Sequence, residues 1–398
     1  MTTAFRTLDH VEVKGKRVLV RVDLNVPLDN GVVTDATRIE RTAPAITEIA
    51  DKGGKVILLS HFGRPKGRDP KQSLKPVAAE VAHVIKRPVS FADDCIGEVA
   101  ERAVAAMKPG DILCLENTRF HAGEEKNDPA FVAALAKLGD IWVNDAFSTA
   151  HRAHASTEGL GHKLPAYAGR TMQDELEALG KALEHPERPL AAIVGGAKIS
   201  TKLDLLGNLL DKVDVLIVGG AMANTFLLAQ GKRVGKSLVE ANLVGTAREI
   251  LDKARSAKRE IVLPIDVVVA EKFEAHAPSR VVDANNVGAN EMILDIGPRS
   301  AEQVVSVLVR MKTLVWNGPF GAFEMEPFDS GTDEVAEAAA ELSEAGKLVS
   351  VAGGGDTVAA LNVAGAVGRL TYVSAAGGAF LEWLEGKTLP GVEVLRAK

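Results

Sequence analysis

Short apolar runs alternate with longer amphipathic runs along almost the whole 398-residue chain, and this alternation leaves few folds open. In the first half, apolar runs at 17–22, 55–60, 112–116 and 141–144 read as buried strands. Helical stretches at 38–52, 74–86, 95–107 and 129–139 separate them. In the second half, strands are expected at 190–195, 213–218, 260–264, 292–296, 313–316, 347–352 and 370–374. Helices such as 200–211, 242–256, 300–311 and 332–345 fill the gaps. Strands that alternate with helices build parallel sheets covered on both faces. Two such sets predict an α/β protein with two doubly wound, Rossmann-like domains, and the length agrees with two domains or one with large insertions. The boundary is expected near 165–188, where Gly159-Leu160-Gly161 and Pro165 precede a charged helix at roughly 171–184. That helix suits either a hinge-like connector or a plain surface helix.

Composition narrows the function classes. With 46% hydrophobic and 25% charged residues, the chain is of ordinary globular type. A net charge of −6 argues against general nucleic-acid binding, although a local basic cleft remains open. Cys95 and Cys114 are the only cysteines, and they lack metal-ligand spacing. They read as buried thiols of a reducing compartment. No apolar run reaches membrane-spanning length, and the first residues lack an apolar signal region. A cytoplasmic enzyme or binding protein, with no membrane partner, is expected.

Several first-half strands end in cations. The stretches are Val20-Arg21-Val22-Asp23-Leu24-Asn25, Ser60-His61-Phe62-Gly63-Arg64, Asn117-Thr118-Arg119-Phe120 and Asn144-Asp145-Ala146-Phe147, the last running on to His151-Arg152-Ala153-His154. Open parallel sheets bind ligands outside the carboxyl ends of their strands. Arginine offers a planar fork that matches carboxylate and phosphate. The set describes a site for a small, multiply charged anion, against the plainer reading of scattered surface arginines.

The second half carries phosphate chemistry. Gly353-Gly354-Gly355-Asp356-Thr357 follows an apolar strand and opens a helical run, with Asp356 or Thr357 as the expected cap. Glycines admit a close ligand, and a helix N-terminus binds phosphate. Asp356 could hold Mg²⁺, which takes one or two carboxylates plus substrate phosphates. Lys198 and Lys202, at i, i+4, are expected to share a helix face and neutralise a polyphosphate. Glu324 could accept from ribose hydroxyls. The plain alternatives are a capped turn, a solvated lysine pair and a surface glutamate. Gly231 to Ser237 imitates a P-loop but has three residues between its glycines, not four. No dinucleotide fingerprint or nucleophile elbow is present, which disfavours a dehydrogenase.

In combination and order, Val18 to Pro27, Leu58 to Pro65, Asp145-Ala146-Phe147 with His151-Arg152-Ala153-His154, and Trp316-Asn317-Gly318-Pro319 closely resemble the phosphoglycerate kinase family. The match continues to Leu381 to Lys387 and so covers nearly the whole chain. The resemblance implies reversible phosphoryl transfer between 1,3-bisphosphoglycerate and ADP, giving 3-phosphoglycerate and ATP, with Mg²⁺, in a cytoplasmic monomer. It implies a triose site in residues 1–170, made by Asp23, Asn25, Arg38, His61, Arg64, Arg119 and Arg152. It implies a nucleotide site in 171–379, made by Lys198, Lys202, Glu324 and Gly354, Gly355, Asp356 and Thr357, with Asp356 towards the metal. Arg38, Lys202, Gly354 and Gly355 are the expected catalytic groups. The segment 380–398 is expected to return to the first domain, and catalysis to need the two domains to close. Three stretches depart from the usual pattern, at four positions: Ser148 where many members have Gly, Ala375-Ala376 where Thr-Gly is usual, and Ala221 where a third Gly often follows. A non-catalytic anion-binding protein or a scaffold would leave the second-half loops idle.

Overall fold

The computed structural model describes residues 5–396; residues 1–4 and 397–398, at the ends of the first and last expected segments, lie outside the described residues. The chain divides into two compact units, one of Met1–Leu176 with Thr388–Lys398 and the other of Glu177–Lys387. The sequence reading places the divisions slightly earlier, at 170/171 and 379/380. The helix Arg170–Leu179 spans the first division.

In the first unit, β1 (Arg17–Arg21) is followed by a small hairpin, β2 (Leu28–Asp29) and β3 (Val32–Val33). Then come β4 (Lys55–Leu59), β5 (Ser90–Ala92), β6 (Ile112–Leu115), β7 (Ile141–Asn144) and β8 (Ala166–Ala168). The sheet order is β5-β6-β4-β1-β7-β8, and every pair is parallel. Val18, Leu19 and Val20 are wholly buried, as a central strand with helices on both faces requires. Full burial of such a side chain contributes about 1.5–3 kcal/mol. The helix Thr37–Asp51 turns Ile39, Ile46 and Ile49 into this core. Local chemistry sets helix starts: Asp128 accepts from the N–H groups of Ala130 (3.0 Å) and Phe131 (2.9 Å), and Pro129 opens the helix Pro129–Ala136.

The second unit repeats the plan. Its strands β9 (Leu190–Val194), β10 (Val215–Val218) and β11 (Glu260–Val262) lead into β12 (Asp266–Ala270), β13 (Ser279–Asp283) and β14 (Met292–Ile296). The chain then returns through β15 (Thr313–Asn317), β16 (Val349–Gly353) and β17 (Tyr372–Ser374). The main sheet is parallel, in the order β11-β10-β9-β15-β16-β17. Trp316, Leu314, Val304 and Val335 fill the core on one of its faces.

One expectation is corrected here. The strand at 292–296 does not join the parallel sheet. It belongs to a separate antiparallel sheet, β13-β12-β14. Its partner β12 leaves the parallel sheet first, since a parallel neighbour needs a crossover of about a dozen residues or more, and 292–296 pairs with β12. Only Leu263, Pro264 and Ile265 separate β11 from β12. Among the described residues, no helix is long and apolar enough to cross a membrane.

Candidate active site

Both parallel sheets reverse direction of growth beside their first strand. In the first unit the chain moves outward from β1 through β4 and then returns to place β7 on the other side of β1. Such a switch point opens a crevice at the carboxyl ends of the strands. Asp23 and Asn25 follow β1, His61 and Arg64 follow β4, Arg119 follows β6, and Ser148 and Arg152 follow β7.

Their contacts form one network. Arg38 Nη1 donates to Asp23 Oδ2 at 3.1 Å and to the Asn25 carbonyl at 2.9 Å. Ser148 Oγ donates to Asp23 Oδ2 at 2.6 Å, so the hydroxyl at this atypical position adds to the anchorage of Asp23. Asn25 Oδ1 accepts from Gly63 N (2.9 Å), and Arg119 Nη1 donates to the Gly63 carbonyl (2.9 Å). Asn117, buried, bonds both polar groups of the Phe62 backbone and the N–H of Arg119, fixing both loops at once. Among the described residues, Arg64 and Arg152 form no ion pair.

Beneath these groups lies a relay that the sequence reading does not assign to the site. Arg21 is 1% exposed and Glu124 fully buried. Arg21 Nε donates to Ser156 Oγ (2.8 Å), which donates in turn to Glu124 Oε1 (2.6 Å). Arg21 Nη2 lies 3.0 Å from His61 Nδ1. Guanidinium can only donate, so Nδ1 accepts and the His61 proton sits on Nε2. Burial, followed by the charges of Arg21, Arg119, Arg152 and Arg38, holds the His61 pKa far below its ordinary value. His61 is therefore neutral and a hydrogen-bond donor through Nε2, not a proton shuttle. Accordingly, wild type and His61→Gln should share the acidic limb of their kcat/KM profiles between pH 5 and 8. A limb that moves with the substitution overturns the neutral state of His61. Burial also lowers the Arg119 pKa, and the charges of Arg152 and Arg64 push in the same direction. Arg21, Arg38, Arg64, Arg119 and Arg152 thus each act electrostatically on His61 or on one another.

In the second unit the switch point lies between β9 and β15. Asn317, at the end of β15, is its hinge pin: Nδ2 donates to the Gly353 carbonyl (2.7 Å), and Oδ1 accepts from Lys202 Nζ. Burial lowers the Lys202 pKa, while the charge of Asp356 opposes that shift. Gly354, at φ +100°, is the residue before the helix Gly355–Val363, and no side chain caps that helix. The expected cap is thus corrected. Asp356 lies in the first turn, and Thr357 is buried with its hydroxyl accepting from Gly318 N (2.7 Å). The first N–H groups of the helix are left for an anion.

A cavity of about 530 Å³ opens beside this loop. Gly220, Ala221, Leu294, Pro319, Glu324 and Asp356 are among its walls. Glu324 and Asp356 thus come together. The shared helix face expected of the two lysines is not formed, because the helix Leu203–Lys212 begins after both. Lys202 stands at its N-terminal boundary, and Lys198 lies in the preceding loop, which Glu240 pins through Ser200 N (3.1 Å). Gly195 and Gly196 break the helical pattern there, with φ +138° at Gly196.

A family model described as Phosphoglycerate kinase matches residues 8–387. The chain belongs to the phosphoglycerate kinase family. Curated relatives of that name include those of Rhodopseudomonas palustris, 69% identical, and Bradyrhizobium diazoefficiens, 68% identical, each over 398 residues and the full length of both chains. Among solved structures, phosphoglycerate kinase from Coxiella burnetii superposes with a TM-score of 0.92 at 42% identity, covering 98% of each chain. The fold is that of the family, and so is the reaction: a glycolytic phosphotransferase that moves a phosphoryl group between 1,3-bisphosphoglycerate and ADP. Membership in the phosphoglycerate kinase family, with two phosphorylated reactants, agrees with two switch-point crevices in one chain.

Proposed function

We propose that the cationic cluster of the first unit holds the triose phosphate, through Asp23, Asn25, His61, Arg64, Arg119 and Arg152, with Arg38 directed at the transferred group. The nucleotide occupies the cavity of the second unit, where Glu324 accepts from the ribose. Lys198, Lys202 and the N–H groups of Gly354, Gly355, Asp356 and Thr357 receive its phosphates. One observation carries the reading: neutral His61 and the unpaired Arg64 and Arg152 share a strand-end cluster built on a buried Arg21–Ser156–Glu124 relay. Asp23 faces Arg38 and Glu125 faces Arg119 (3.4 Å), but among the described residues Arg64 and Arg152 have no such counter-charge, and a phosphate and a carboxylate supply it.

The acceptor is a carboxylate, ionised at neutral pH, so the chain needs no general base. Its task is to position two anions and to stabilise charge on the equatorial oxygens of the group in flight. Arg38, Lys202 and the backbone donors at Gly354 and Gly355 fit that task. Asp356 suits Mg²⁺: among the described residues it forms no hydrogen bond or ion pair, and it lines the cavity with Glu324. A single carboxylate plus phosphate oxygens is a usual donor set for this ion, which supplies charge neutralisation to the phosphates when bound. Reacting atoms must meet within about 3–3.5 Å, so the proposal includes a closing motion about the helix Arg170–Leu179. The protein acts as a cytoplasmic monomer.

A coupled assay of ATP and 3-phosphoglycerate tests the whole reading. Activity should vanish with excess chelator and return with added Mg²⁺; full turnover in chelator removes the metal from the scheme. Arg64→Ala should weaken 3-phosphoglycerate binding about tenfold or more while slowing turnover less, because its exposed guanidinium has only the non-transferred phosphate to hold. Equal loss in both quantities would place Arg64 at the reacting centre instead.

A further inference from the structure

Asp94 and Cys95 follow β5, and His121 follows the turn Thr118–Phe120 after β6. β5 and β6 are neighbours with Ala92 opposite Leu115, so both loops leave the same end of the sheet together. One carboxylate oxygen, one sulfur and one imidazole nitrogen thereby converge, all within 4.8 Å of one another. We propose that Asp94, Cys95 and His121 form a binding site for a divalent, borderline-soft transition metal ion of the Zn²⁺ class.

The donor set decides the class. Thiolate and imidazole favour Zn²⁺-like ions, whereas Mg²⁺ and Ca²⁺ prefer oxygen donors alone. With bonds of about 2.0–2.3 Å, tetrahedral Zn²⁺ sets its ligands roughly 3.3–3.8 Å apart, within reach of the separations here. A thiolate and a carboxylate balance the 2+ charge, and a neutral imidazole completes three ligands, leaving a fourth position for water. Binding releases the thiol proton to solvent. Access is one-sided. Cys95 is fully buried and forms the floor, while the Asp94 and His121 side chains are 29% and 30% exposed.

The surroundings already orient the donors. His121 Nε2 lies 2.7 Å from Asp94 Oδ1, an oxygen that also accepts from Cys95 N at 2.7 Å. Arg68 Nη2 holds the other oxygen of Asp94 at 3.2 Å. The His121 ring stacks on Phe131 with centroids 5.3 Å apart. Metal-bound carboxylates and imidazoles rely on outer partners of this kind. The ion replaces the direct His121–Asp94 contact and ties the β6 loop to the β5 loop.

Titration of the full chain with Co²⁺ in buffer free of Mg²⁺ tests this. About one equivalent should produce a near-ultraviolet thiolate-to-cobalt band together with visible bands of four-coordinate Co²⁺, and Zn²⁺ should displace both. Cys95→Ser should abolish the near-ultraviolet band. His121→Gln, which leaves the buried thiol in place, should weaken Co²⁺ binding at least tenfold, and Cys114→Ser should change neither. A missing thiolate band in the wild type, a band that survives Cys95→Ser, or unchanged affinity in His121→Gln overturns the site.

Discussion

Arg38→Ala should lower kcat by about two to three powers of ten while 3-phosphoglycerate binding stays within a few-fold. Arg38 is the second residue of the helix Thr37–Asp51, next to the substrate cluster. Its anchors, the Asp23 carboxylate and the Asn25 carbonyl, all engage Nη1. Nε and Nη2 are left to meet charge that develops during transfer. At an effective dielectric near 20, a unit charge about 4 Å away contributes roughly 4 kcal/mol, and each 1.36 kcal/mol is about tenfold in rate. The ground-state anion keeps Arg64, Arg119, Arg152 and His61, so affinity suffers little. Dissociation constants and single-turnover rates for the variant decide the matter. A loss of affinity with normal single-turnover rates would make Arg38 a binding group only.

Gly354→Ala should lower kcat/KM for the nucleotide about a hundredfold or more in a protein that still folds. At φ +100° and ψ 143° a side chain is strained by about 1–3 kcal/mol. Space is also lacking: a Cβ would stand 2.5 Å from Asn317 Nδ2 and 3.3 Å from Thr357 Oγ1. Asn317 is the group that holds Lys202 and the Gly353 carbonyl, so the methyl group disturbs the lysine and the helix start together. The strain alone should lower Tm by only about 2–4 °C per kcal/mol. Nucleotide kinetics of the wild-type kind in this variant would refute the role given to the loop.

The sequence makes the parallel sheets legible because their strands are continuously apolar and their helices amphipathic, as at Val18–Val20 and Thr37–Asp51. It hides the three-residue edge strands β5 and β8, and β12, an apolar run only three residues after β11. It also hides β13, whose pattern is broken by exposed Arg280 and Val281. Strand-end cations mark the proposed anion cluster in the sequence, since arginine beside buried strands is unusual. Glu124 is not legible in this way. It sits in Glu124-Glu125-Lys126, which reads as solvated surface, and only the fold brings it to Ser156 and Arg21. Ser156 likewise has no local signal. Arg21 does carry one, because its strand is buried on both sides and a charge there needs a partner. Lys198 and Lys202 are misplaced by periodicity because the glycines before them delay the helix. Cys95 lacks metal-ligand spacing along the chain, and His121 reaches it only through the pairing of β5 with β6.

The last residues of the chain complete the first unit. Asn144 Nδ2 donates to the Gly391 carbonyl (3.0 Å), Gly391 N donates to the Ala150 carbonyl (2.8 Å), and Arg6 N donates to the Leu395 carbonyl (3.1 Å). During synthesis the stretch Met1–Leu176 emerges first, yet these partners appear only after all of Glu177–Lys387 has been made. At about 5–20 residues per second that interval is roughly 10–40 s. Throughout it, the end of β7 and the loop bearing Arg152 stand open, and at its close the second unit has every residue it needs while the first still lacks its last ones. A chain ending at Lys387 and released from the ribosome should therefore be cut by protease near residues 144–152 and resist cutting in the second unit. Order of birth and order of completion are thus reversed, and the half of the protein that leaves the ribosome first is finished last.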